Sequence, residues 1–346
     1  MLGSKLRILV VDDSLTFRGI LSRVLGQLPD VDVVATAQDG EDALTKIRQY
    51  QPDLVTLDME MPKLDGLATL KAIKELGLRT KVLVLSAFGG EKHTVEALFL
   101  GAWDFLQKPS GSRSGFEELR QVLQEKVQQF LHHKSSPSLR PPSKRVAPVV
   151  NFRTDLVLIA VSTGGPNALA EVLAQLKPPC RVPVLIVQHM PAEFTRLLAE
   201  RLAAKCALPV HEVTDGVTLL SGNIYLAKGD YHFEVCGSRS RPIARLHQGP
   251  SEHGCRPAAD RLFISSAKLF PSSCLAVVLT GMGKDGCEGS RAVVQGGGYC
   301  IAQNQETSTV WGMPRFVVEA GLAREVLPLQ QIGLRLNDFV SGASHK

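Results

Sequence analysis

Short apolar runs alternate with amphipathic stretches along most of this chain, and that rhythm restricts the fold to one in which strands and helices take turns. In the first third the apolar runs are Ile8–Val11, Val31–Ala37, Leu54–Leu57, Val82–Leu85 and Phe105–Leu106. Helical patterns lie between and after them, near 14–28, 39–49, 66–76, 91–100 and 115–131. Strict alternation predicts an α/β fold, a parallel sheet with helices on both faces. The rhythm returns later: Leu156–Val161, Val184–Gln188, Leu275–Thr280 and Tyr299–Gln303 read as buried strands. The stretch 208–249 breaks it. Its β-prone segments, around Asn223–Leu226 and Tyr231–Cys236, predict a hairpin insertion.

Between the two rhythmic halves lies 132–148, HHKSSPSLRPPSKRVAP, with four prolines, four serines, four basic residues and no acid. No apolar face runs through it, so it predicts an extended tether. The 346 residues then divide into a domain at 1–131, a Pro/Ser/basic linker at 132–150 and a domain at 151–340. That agrees with roughly 100–200 residues per domain. The net charge of +5 could point to nucleic acid or membrane. Lys134, Arg140, Lys144 and Arg145 supply +4 of it inside the tether, leaving +1 for the rest. No basic recognition helix is visible, so no nucleic-acid partner is expected. No apolar run reaches the ~18 residues of a membrane span, and the N-terminus does not read as a signal peptide. The seven cysteines are odd in number and lack CxxC spacing. They read as reduced packing residues of a cytoplasmic protein, expected to be monomeric.

Polar residues mark the strand ends of the first half. Asp12 and Asp13 end the first run, Asp58 the third, Ser86 the fourth and Lys108 the fifth. In a doubly wound sheet the carboxyl ends of the strands share one rim, where ligands bind. Crowded carboxylates repel, and a hard divalent cation such as Mg²⁺ relieves that repulsion. One carboxylate could serve as nucleophile in phosphoryl transfer, with Lys108 countering the phosphate charge. Taken singly, each acid reads as a helix N-cap or loop residue. Taken together, they read as a pocket.

VVDDS (10–14), TLDMEMPKLDG (56–66), LSAF (85–88) and FLQKPS (105–110) resemble the response-regulator receiver family over residues 5–131. The resemblance implies a flavodoxin-like sheet of order 2-1-3-4-5 and Asp58 as phosphoacceptor. It implies Mg²⁺ held by Asp12, Asp13, Asp58 and the backbone carbonyl of Glu60. Ser86, Lys108 and the aromatic Phe105 would be the phosphoryl switch, and Pro62 and Gly66 would shape the loop after the acceptor.

In the second half, Ser162-Thr163-Gly164-Gly165-Pro166 follows a strand and precedes a helical pattern. A serine at such a turn is exposed at the rim, near a helix N-terminus that favours negative charge. Alone, the motif reads as an N-cap or an anion-binding glycine loop. His189 directly follows Val184–Gln188, and Asp285 follows Leu275–Thr280 after a short glycine-containing loop. Ser, His and Asp from three strand ends are the parts of a nucleophilic triad. The order Ser…His…Asp differs from that of the α/β-hydrolases and indicates another topology. The other histidines lack such a context. Arg256 reads either as surface-paired or as a substrate contact, and 311–314 either as a packed turn or as part of the site lining.

AVSTGGPNAL (160–169), QHMPAEFT (188–195), RPAAD (256–260), LTGMGKDG (279–286) and GGGYCIAQNQETSTVWGMPR (296–315) are similar to the catalytic domain of the chemotaxis protein-glutamate methylesterases, the CheB family. That resemblance covers roughly 151–340. It implies a Rossmann-like domain in which Ser162 attacks a glutamate methyl ester, His189 shuttles the proton and Asp285 orients the imidazole. The Met282 N–H would form part of an oxyanion hole, Thr163 would position His189, and the esterase site would need no cofactor. Receiver plus esterase implies a phosphorylation-activated methylesterase, expected also to deamidate glutamine. Its partners would be methyl-accepting chemoreceptors as substrate and a CheA-type histidine kinase as phosphodonor. The other expectation weighed is a phospho-dependent receptor-binding adaptor with a weak or vestigial esterase site.

Overall fold

Buried aliphatic side chains at almost every position of the short apolar runs make them strands of a two-faced parallel sheet. The computed structural model describes residues 5–109, 113–135 and 152–341. The chain divides into two compact units, Met1–Ser136 and Pro137–Lys346. The tether expected at 132–150 lies outside the described residues from 136 onward.

In the first unit, β1 (Leu6–Val11), β2 (Val31–Ala37), β3 (Leu54–Asp58), β4 (Lys81–Ser86) and β5 (Asp104–Gln107) pair in parallel in the order β2-β1-β3-β4-β5. The helices between and after them are α1 (Leu15–Gly26), α2 (Gly40–Tyr50), α3 (Gly66–Glu75), α4 (Glu91–Leu100) and α5 (Arg113–Ser135). Three helices start on side-chain caps that sequence rules anticipate. Ser14 accepts from the Phe17 N–H, Asp39 from Asp42 and Asp65 from Ala68. Helix α5 runs past the expected boundary at 131. Residues 132–135 contain no helix breaker, and Pro137 is the first.

The second unit holds β6 (Leu156–Val161), β7 (Val184–Gln188), β8 (Val210–Glu212), β9 (Ile224–Leu226), β10 (His232–Ser238), β11 (Arg241–His247), β12 (Cys274–Val278), β13 (Tyr299–Gln303) and β14 (Glu325–Leu327). Its helices are α6 (Gly165–Ala174), α7 (Ala192–Ala203), α8 (Ala259–Leu269), α9 (Cys287–Gln295), α10 (Met313–Glu319) and α11 (Leu329–Val340). Seven strands form one parallel sheet in the order β14-β13-β12-β6-β7-β9-β8, and β10 with β11 form an antiparallel hairpin. The insertion therefore differs from the sequence expectation. Ile224–Leu226 joins the main sheet beside β7, and the hairpin is 232–247. Strands β8 and β14 were not anticipated, because three residues are too few for a period to show. Phe233, Phe263, Leu158, Leu185 and Ala276 pack in the core between the sheet and the hairpin and α8 layer. Because β12, β6 and β7 are neighbours, whatever follows each of them meets at one rim.

Candidate active sites

At the rim of the first unit Asp12 follows β1, Asp58 ends β3, Ser86 ends β4 and Lys108 follows β5. Asp12 and Asp58 are buried and Asp13 is exposed. The Lys108 ammonium lies 2.7 Å from a carboxylate oxygen of Asp12 and 2.7 Å from one of Asp58, clamped between them. It also sits 4.9 Å above the Phe17 ring, a cation–π contact. Burial pushes the Asp58 carboxyl above the ordinary range. Lys108 opposes that shift and the Asp12 charge adds to it. Burial lowers the Lys108 ammonium, but its two carboxylate partners prevail and hold it above its ordinary value. The carboxylates of Asp12, Asp13 and Asp58 each bring an oxygen within 4.8 Å of the others. Hard oxygen donors in that number suit a small divalent cation.

The other receiver positions are placed as follows. Gly66 permits a close approach, since a Cβ there would meet the Asp58 carbonyl oxygen at 2.2 Å. The Glu60 N–H donates to Asp58 Oδ1 at 3.4 Å, and its carbonyl accepts no hydrogen bond among the described residues. Ser86 Oγ donates to the Ala87 carbonyl and accepts from Thr94 Oγ1 at 2.6 Å, which ties it to α4. Phe105 is partly buried on β5, and its N–H donates to Asp104 Oδ1.

In the second unit the rim collects Ser162 after β6, His189 after β7 and Asp285 beyond β12. The His189 N–H donates to the Val161 carbonyl, so the two turns run side by side. His189 Nε2 lies 2.7 Å from Asp285 Oδ2. Burial disfavours the imidazolium. The Asp285 hydrogen bond and charge override that and raise the ring above its ordinary 6.5. Asp285 shifts the opposite way. Burial would raise it, but His189 and the N–H groups of Asp260 and Ala259 hold it below the usual carboxylate range.

Asp285 is satisfied on every side. Oδ2 accepts from the Ala259 N–H at 2.6 Å, and Oδ1 from those of Asp260 at 2.9 Å and Gly286 at 3.0 Å. Helix α8 has Ala258 at its N-cap and no capping side chain of its own, so Asp285 caps it from another segment.

Around the serine, Gly281 is indispensable. A Cβ there would meet Met313 Sδ at 2.4 Å and Ser162 Cβ at 2.8 Å. The next N–H, that of Met282, has no acceptor among the described residues and is free for a ligand. Thr163 is buried, and its carbonyl accepts from Thr280 Oγ1. Arg256 is engaged with Asp230 at 2.5 Å and with the Gly249 carbonyl at 3.0 Å, which favours the paired reading. Trp311 Nε1 donates to the Gln303 carbonyl, within a packed turn.

Sequence reasoning missed Gln188, whose Nε2 donates to the carbonyls of both Ser162 and His189 and clamps the two turns together. Its position directly before His189 was the available signal. His253, grouped with the histidines lacking context, lies 3.2 Å from Asp260 beside this site.

Both units resemble known proteins. The family model for the response regulator receiver domain matches residues 8–124, and that for CheB methylesterase matches residues 157–336. A protein-glutamate methylesterase/protein-glutamine glutaminase of Trichodesmium erythraeum is 42% identical, over 95% of this chain and 97% of its own length. One from Clostridium acetobutylicum is 37% identical, over 98% of this chain and 99% of its own. The crystal structure of the Thermotoga maritima CheB methylesterase catalytic domain superposes with a TM-score of 0.53 at 38% identity, covering 54% of this chain and 99% of that one. With a receiver unit followed in the chain by a unit that draws serine, histidine and aspartate to one rim, the chain belongs to the CheB methylesterase family.

Proposed function

We propose that this chain is a phosphorylation-activated protein-glutamate methylesterase that also hydrolyses glutamine side-chain amides, acting on methyl-accepting chemoreceptors in the cytoplasm. The observation that carries the reading is the meeting of Ser162, His189 and Asp285 at three neighbouring strand ends, with His189 bonded to Asp285 at 2.7 Å. With Nε2–H donating to Asp285, Nδ1 is the nitrogen left to take the Ser162 proton. Ser162 Oγ then attacks the ester carbonyl. The resulting oxyanion takes the free Met282 N–H, near the N-terminus of α6. Collapse expels methanol, which receives the proton from the imidazolium, and water releases the glutamate by the same steps in reverse. An amide substrate passes through the same intermediate and loses ammonia. Thr163, buried beside Ser162, helps position the histidine turn. This serine chemistry needs no metal.

In the receiver, Asp58 accepts the phosphoryl group from a CheA-type histidine kinase. Asp12, Asp13 and Asp58, with the Glu60 carbonyl, would hold Mg²⁺, which supplies positive charge to the phosphoryl oxygens. Lys108 is already between Asp12 and Asp58 and counters the same charge. Ser86 and Phe105 report the change, Ser86 through its tie to Thr94 on α4. The seven cysteines are all free thiols, as a reducing compartment requires. Among the described residues no helix is long and apolar enough to cross a membrane.

Methanol release from methylated receptor membranes, with and without a small phosphodonor, tests the reading. The donor is expected to accelerate release, and Asp58→Asn to abolish the acceleration. Equal rates with and without donor would remove the activation. No methanol from the native chain would leave only the adaptor reading. Gly281→Ala is expected to lower the rate about 100-fold, since displacing a reacting group by ~1 Å costs that much. A rate within twofold of native would mean that Gly281 does not hold Ser162 in place.

A further inference from the structure

Behind Asp285 lies a second buried carboxylate that the chemistry above does not use. Asp260 is 3% exposed. Its Oδ1 accepts the Gly289 N–H at 2.6 Å and so caps α9, which begins after Gly286 without a capping side chain. Its own N–H donates to Asp285 Oδ1. Its Oδ2 meets His253 Nε2 at 3.2 Å. The two carboxylates thus cap the two helices crosswise, and their oxygens lie within 4.8 Å.

His253 reaches Asp260 from an unusual backbone position. It has φ 52° and Gly254 has φ 75°, the two left-handed residues of a tight turn. The turn is closed by reciprocal bonds between Glu252 and Cys255, of 3.0 and 2.8 Å. Cys255 on the same turn directs its thiol to the His253 carbonyl. One closed four-residue turn therefore supplies the side chain that meets the carboxylate behind the triad aspartate.

We propose that His253 and Asp260 are positioning residues for the esterase reaction: they fix the charge and orientation of Asp285 from behind, and through it the pH at which His189 accepts the serine proton. The inference rests on the esterase reading above. Asp285 has no unused lone-pair direction toward this cluster, since both its oxygens accept two hydrogen bonds. That favours a hydrogen-bonded relay over a metal site.

The electrostatics follow from the neighbours. Burial and then the Asp285 charge push the Asp260 carboxyl up to about 6, while the Gly289 N–H and His253 pull it down. The Cys287 thiol at the start of α9 also feels the Asp260 charge. Other charges on the packed elements are engaged elsewhere: Arg261 with Glu252, Glu234 of β10 with Arg245 and His247, and Arg291 with Glu288 of α9. His232 of β10 bonds the Pro250 carbonyl. Lys268 is in the last turn of α8, far along the helix from Asp260. Strand β12 offers only Cys274 and β6 no titratable group.

The sign is direct. Above about pH 6 Asp260 is an anion and favours the His189 imidazolium. Protonating or neutralising it removes that support and lowers the histidine pKa. Removing His253 takes away a neighbour that pulls Asp260 down, so the Asp260 titration moves to higher pH.

Histidine-selective NMR titration of the full-length chain tests this, with methanol release measured on the same samples. Asp260→Asn is expected to lower the His189 pKa by about one unit, the effect of a unit charge within roughly 10 Å at an effective dielectric near 20. It should also erase the step near pH 6 in the His189 curve. His253→Gln keeps a donor toward Asp260 without the charge, on a side chain one-third exposed, and should move that step upward. A purely structural role would scale the rate equally at every pH and leave the His189 titration in place. His189 curves identical in native, Asp260→Asn and His253→Gln chains would overturn the proposal. If Asp260→Asn does not fold, His253→Gln decides alone. A native chain that releases no methanol but shows the coupled titration would remove the esterase reading and leave the coupling standing.

Discussion

Ser162→Ala is expected to lower methanol release by on the order of 10⁶ in kcat, the usual cost of removing the nucleophile from a serine triad. Ser162 lies in a turn that other contacts already hold. Its N–H donates to the Thr280 carbonyl, and its own carbonyl accepts from Gly165 and from Gln188 Nε2. None of these bonds uses the side-chain oxygen. The alanine chain should therefore fold with an unchanged melting temperature while losing the acyl-enzyme. Receptor binding and Asp58 phosphorylation should persist. A Ser162→Ala chain that still releases methanol at more than a hundredth of the native rate would exclude the serine as nucleophile.

Asp285→Asn carries the second large effect, about 10⁴ in kcat by the precedent of serine-protease triads. Here the geometry supplies the reason. The two oxygens of Asp285 accept from His189 Nε2 and from three backbone N–H groups. An asparagine offers one oxygen and one NH₂, so two of those donors would face another donor. If the amide nitrogen faces His189, the ring must carry its proton on Nδ1, which then cannot take the serine proton. If it faces Asp260 and Gly286, two buried N–H groups are orphaned, at about 1–3 kcal/mol each. Either way the charge that holds the imidazolium is gone, and burial alone lowers the ring's pKa. Residual activity should therefore reach its plateau at a lower pH than in the native chain. Rate and melting temperature measured together check both parts. A variant within tenfold of native would remove Asp285 from the triad.

Most of the architecture was legible because strands that are buried on both faces must be apolar throughout. Leu156–Val161 and Val184–Gln188 were bounded correctly from that property alone. The short edge strands β8 and β14 were not, since three residues leave no period and their place depends on a neighbour's backbone. The hairpin failed in register for a related reason. Segment 223–226 has strand composition, but whether it pairs with its successor or with β7 depends on contacts distant in sequence.

The sites divide in the same way. Asp12, Asp58, Lys108, Ser162, His189 and Asp285 were visible because a strand end is a chemical address in a doubly wound sheet. The pair His253 and Asp260 was invisible. No short-range rule brings a turn histidine to a helix aspartate. The missing caps at Ala258 and Gly286 were a negative signal, readable only once the carboxylates from other segments were seen.

By itself the sequence determined the alternation of strands and helices, the residues that crown each strand and so the chemistry available at each rim. Hydrophobic period and turn chemistry are local properties, and they act through neighbours in the chain. Only the tertiary structure decided strand order at the sheet edges, the crosswise capping of α8 and α9, and the partners of each carboxylate. Those depend on which buried donors need an acceptor, and that need arises only when distant segments exclude water together.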